Sequence, residues 1–64
     1  MDKYRVTVKE NFGDIDVYDV EANSEHEAKE EALGLAADDA VFMPMYLTRQ
    51  QRKSYFSVIS CIKI

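Results

Sequence analysis

Sixty-four residues, 47% of them hydrophobic, with a formal net charge of −4 and one cysteine, describe a single domain over residues 1–64 with a thin core. A chain this short buries only about 60% of the surface its unfolded form exposes, which leaves no room for a deep cleft. Cys61 alone excludes an internal disulfide and points to a reducing, cytoplasmic setting. No stretch approaches the roughly 20 apolar residues of a membrane span.

The first run, KYRVTVKE, alternates Tyr4, Val6 and Val8 with Lys3, Arg5, Thr7 and Lys9, the period of two of a half-buried strand. NFGD follows, where Asn11, Gly13 and Asp14 supply turn chemistry for a hairpin with Phe12 near its tip. IDVYDVEA starts with Ile15 and Val17 on one face and continues with Val20 and Ala22 on the other. That switch of parity predicts a β-bulge or a strong twist near Tyr18 and Asp19.

Ser24 and Glu27 form an S-x-x-E capping box, in which the hydroxyl accepts from the Glu27 amide and the carboxylate reaches back to the Ser24 amide. Downstream, Ala28, Ala32, Leu35 and Ala36 make one apolar stripe. Its alanines imply close approach to a sheet, and the helix is expected to end between Gly34 and Asp39. Residues 40–53 combine apolar side chains with Pro44, the pattern of an irregular segment or an edge strand. SYFSVISCIKI sets Phe56, Val58, Ile62 and Ile64 against a second face that is only partly polar, as in a central strand or one covered on both sides. The expected fold is α+β: an antiparallel sheet of three strands, four if residues 41–47 form one, with a helix on one face, in the order ββαβ or ββαββ.

Charge is divided along the chain. Residues 10–39 hold eleven of the twelve acids against one base, Lys29, whereas residues 40–64 contain no acid and four bases. Such a layout steers charged partners, while the plainer reading is that glutamates solvate a small domain. Glu27 and Glu31 are like charges at i, i+4, which costs a helix a few tenths of a kcal/mol. That small cost points away from a helix optimised for structure alone. The first candidate site is therefore an acidic face of Asp16, Asp19, Glu21, Glu25, Glu27, Glu30 and Glu31, whose natural counterpart is a basic surface on a host or regulatory protein. The rival is a basic loop, Arg49, Arg52 and Lys53 beside Tyr55, able to contact phosphates and stack bases. Three cations on a chain of net charge −4 are few for a nucleic-acid module. A third reading is a homodimer through residues 42–46 or an unpaired strand edge.

Catalytic chemistry has no motif to stand on. His26 lies in a first helical turn among glutamates, Cys61 lies in a strand, and Asp38–Asp39 lacks the spacing of a calcium loop. No enzyme activity, metal or cofactor is expected.

DVYDVEANSEHEAKEEALGLA, residues 16–36, resembles the strand-to-helix unit of very small bacteriophage proteins, including the RNA-polymerase inhibitor of lytic podophages and some anti-CRISPR proteins. The resemblance implies a compact two-strand, helix, strand domain that acts in the host cytoplasm by binding and blocking a host machine. It does not extend over Asp38–Ser54 and assigns no individual functional residue.

Overall fold

The computed structural model describes residues 1–11, 13–39 and 46–64. The elements run β1 (Asp2–Glu10), β2 (Ile15–Ala22), α1 (Glu25–Asp39), α2 (Arg49–Lys53) and β3 (Phe56–Lys63). Three antiparallel strands form one sheet in the order β2-β1-β3, with α1 on one face: the expected α+β, ββαβ layout. Because β2 and β3 both run antiparallel to β1, they are parallel to each other and need a crossover, which α1 supplies. Phe12 and residues 41–45, which hold most of the questioned fourth strand and of the apolar dimer segment, lie outside the described residues.

The hairpin turn uses Gly13 at φ 109°, with Glu10 N–H donating to Asp14 O at 2.9 Å. From there the β1–β2 ladder is regular along its whole length, from Lys9 opposite Ile15 to Asp2 opposite Ala22. The bulge expected near Tyr18 and Asp19 is absent. Its sequence signal, the switch of apolar parity, is resolved differently: Tyr18, Val20 and Ala22 face the helix, and Ile15 and Val17 are left on the open face, each 57% exposed. β-Branched residues hold a strand geometry there without needing burial.

A register shift occurs instead between β1 and β3, where Thr7 pairs with Ser60 but Val8 with Val58, making Ile59 the extra residue. It flips the parity of β3. Phe56, Val58 and Cys61 pack toward the core, whereas Ile62 and Ile64 face out. β3 is thus an edge strand, not the central one its second apolar face suggested, and β1 takes the centre because the crossover carries β3 to its free side.

The core is thin. Tyr4, Val6, Val8, Val20, Ala22 and Phe56 of the sheet meet Ala28, Ala32, Ala36 and Ala37 of α1, and among the described residues Val6 and Val8 are the largest fully buried side chains. Alanines at this seam let the helix backbone sit close to the strands. Leu35 departs from the expected stripe: it lies at the exposed margin, and Leu33 and Ala37 turn toward the core in its place.

Candidate functional site

Strand β2 ends at Ala22, and the capping box then fixes where α1 begins. Glu27 N–H donates to Ser24 Oγ at 3.2 Å, as the sequence predicts, while the Glu27 carboxylate accepts from the Asn23 amide at 3.0 Å, one residue before the expected Ser24 amide. This junction places Glu21 of β2 beside Glu27, Glu30 and Glu31 of α1. Together with Met1, Ala22, His26, Arg49 and Lys53 they line an open groove of about 520 Å³.

The second wall of that groove is α2, a helix in a stretch whose composition suggests an irregular segment or an edge strand. Thr48 caps it: Gln51 N–H donates to Thr48 Oγ1 at 3.1 Å, and Thr48 N–H donates to Gln51 Oε1 at 2.8 Å. The signal is present as T-x-x-Q, the same box found at Ser24. α2 packs on α1 over Gly34, where an added Cβ would lie 2.5 Å from Arg49 Nη2. A side chain at that position would push the guanidinium aside.

The two rival charged patches therefore meet. Lys53 Nζ donates to Glu30 Oε2 at 2.7 Å, and Arg49 Nη2 to Asp38 Oδ2 at 3.3 Å. Lys53 holds the Glu30 carboxyl below its ordinary range by hydrogen bond and charge. The Lys53 side chain is only 17% exposed, so it belongs to the helix–helix contact more than to solvent. Arg52 is half-buried, its Nε unpartnered among the described residues, and Tyr55 is half-buried against the core.

The acidic set divides as well. Glu25 pairs with Lys29 at 3.2 Å along the helix. Asp19 pairs with Arg5 through two bonds of 2.9 and 3.2 Å on the open face of the sheet, and the Arg5 hydrogen bond pulls the Asp19 carboxyl down. Asp16 lies at the hairpin end of β2, in the row opposite Val8. What the fold brings together without an ion-pair partner among the described residues is Glu21, Glu27 and Glu31.

A further carboxyl carries no motif in the sequence. Glu10 continues the inward parity of Tyr4, Val6 and Val8 and is 7% exposed. Burial raises its pKa, and the hydrogen bond and charge of Asp14, then the charge of Asp16, raise it further. Nearby, Tyr18 Oη donates to Asp39 Oδ2 at 3.5 Å, and its phenol is pushed up mainly by burial. No group of three or more His, Cys, Asp or Glu side chains among the described residues has the arrangement to hold a metal ion. No helix among them is long and apolar enough to cross a membrane. In comparisons with known proteins, no family model, no curated protein and no solved structure matches the chain.

Proposed function

We propose that this protein is a non-enzymatic binding protein that docks its acidic groove on a basic surface of a macromolecular partner and inhibits or modulates that partner by occlusion. One observation carries the reading: Glu21, Glu27 and Glu31 line one groove, and no cation among the described residues is paired to them. Uncompensated carboxylates on a strand end and a helix are held at fixed spacing, which suits bidentate arginine donors. Occlusion needs no chemistry, and the absence of a catalytic motif in the sequence fits that economy. The bacteriophage inhibitors that residues 16–36 resemble work by such binding, and a cytoplasmic target is the matching proposal. Nucleic acid is the weaker candidate, because Arg49 and Lys53 already engage Asp38 and Glu30.

The test is capture from bacterial lysate by the parent chain and by a Glu21→Gln, Glu27→Gln, Glu31→Gln variant. Glutamine at position 27 keeps the cap, so the fold is retained. Expected is a basic-surfaced protein held by the parent alone, with an association rate that falls as salt rises. Equal retention by both chains, or retention of nucleic acid only, would return the groove to ordinary surface.

A further inference from the structure

Between Leu47 and Tyr55, which both pack against the core, α2 is a strap with no buried side chain. It lies along one stripe of α1. Glu30, Gly34 and Asp38 follow one another at i, i+4 and i+8, a run of about 12 Å on one helix face. Lys53 Nζ takes one end of that stripe through Glu30 Oε2 at 2.7 Å, and Arg49 Nη2 takes the other through Asp38 Oδ2 at 3.3 Å. Between those ends the Arg49 guanidinium lies over Gly34, where no side chain stands. The two cations are four residues apart on α2. α1 thus presents carboxylate, notch and carboxylate to a basic helical turn, and the chain fills that seat with its own.

The seat calls for a cation from outside α1. That helix ends on Asp38 and Asp39 with no basic residue in its last turn, which puts acids at the end where the helix dipole is already negative. Arg49 supplies from another element the positive charge that the turn lacks. Its hold is light. Both partners of the Arg49–Asp38 pair are more than half exposed, and exposed pairs shift an equilibrium by no more than about fivefold. A helix of five residues is not stable by itself.

We propose that α2 is an intramolecular stand-in for the partner's docking element: a helical segment of a partner protein, carrying an arginine and a second cation four residues apart, displaces α2 from the Glu30–Gly34–Asp38 stripe. The inference rests on the acidic-groove reading and names its ligand. The incoming arginine takes the notch at Gly34, and the second cation takes Glu30. Glu27 and Glu31 line the same groove as Glu30, so lifting the strap joins groove and stripe into one acidic face. While docked, the strap competes with the partner as a tethered ligand, and the apparent affinity falls by the fraction of molecules whose seat is open. Leu47 and Tyr55 anchor its two ends, so the strap lifts while the sheet stays folded.

The probe is a synthetic alanine-based peptide with arginine and lysine four residues apart. Its comparison has the same composition with the two cations two apart, on different faces of a helix. Binding to the full chain is followed together with amide hydrogen exchange at residues 49–53. Expected is exchange in α2 that speeds up as the four-apart peptide saturates the parent. An Arg49→Gln, Lys53→Gln variant, whose seat holds no cation, should bind that peptide about tenfold tighter. Glutamine keeps the helix propensity, and protected β1 amides verify the fold. A Lys3→Gln, Lys9→Gln variant makes the same change of net charge at exposed positions outside the groove, and should bind no tighter than the parent.

Four results overturn the proposal: residues 49–53 staying protected in the bound parent, equal binding of the two peptides, an equal gain in the charge-matched variant, or binding to none of the chains. Capture from lysate reports separately on the groove. A partner held through Glu21, Glu27 and Glu31 while α2 stays docked leaves that reading standing without this one, and displacement of α2 by the peptide with no protein captured does the reverse.

Discussion

Glu10 shows how a strand's period can bury a charge. Its position follows from the alternation that buries Tyr4, Val6 and Val8, and no cation compensates it among the described residues. A carboxyl whose folded pKa is raised contributes its stability in full below the unfolded value and loses it as pH rises through the folded one. Glu10→Gln should therefore raise the melting temperature near pH 7 and make little difference near pH 4. Thermal melts at the two pH values decide this, and a lower melting temperature for the variant at neutral pH would refute it. Asp19 and Glu30, held down by Arg5 and Lys53, have the opposite sign: their contribution is present above the unfolded value and fades as pH falls through the folded one. Gly34 is a second residue whose meaning is purely local. Gly34→Ala should gain about 1 kcal/mol of helix propensity while displacing the Arg49 guanidinium. The net change in melting temperature is expected to be near zero, with the Arg49–Asp38 ion pair broken, as the Arg49 side-chain resonances would show.

At the scale of elements, both helices are positioned by caps that the sequence announces. Ser24→Ala and Thr48→Ala each remove a side-chain acceptor for a first-turn amide, at a cost of about 1 kcal/mol. The consequences should differ. α1 is buried along its alanine face and only loses stability, whereas α2 has five residues and no buried side chain. Hydrogen exchange across residues 49–53 should accelerate in Thr48→Ala while β1 stays protected, and unchanged exchange there would mean that packing alone holds α2. Ala32, fully buried against the sheet, tests the closeness of the layers: Ala32→Leu overfills the seam and is expected to cost roughly 1–3 kcal/mol, read by chemical denaturation. The capping signals were legible because they depend on residues three apart. The bulge was not, since only the pairing of β3 with β1 shows which residue of SVIS is extra.

For the whole molecule, the division of charge along the chain is undone in space. Residues 40–64 supply the cations, and α2 lays two of them on the acidic helix, so the groove is narrower and less negative than the linear tally implies. This decides where a salt-sensitive interaction is expected: neutralising Glu21, Glu27 and Glu31 should slow association with the captured partner, whereas neutralising Glu25 or Asp19, already paired, should change it less. Rate measurements with single variants at low and moderate salt separate the two classes, and equal effects would mean that ion pairing does not select the site.

Alternation, the hairpin residues and a capping box, all properties of neighbours within about four positions, determined by themselves that this chain is two strands, a helix and a strand. Alanine spacing likewise determined that α1 lies close on its sheet. Only the tertiary structure decided that β1 is central, that Ile15 and Val17 stay outside and that Glu10 goes inside. It also decided that the acidic and basic segments face each other across Gly34. Those outcomes depend on the crossover and on contacts between residues far apart in the chain, where no local period carries information.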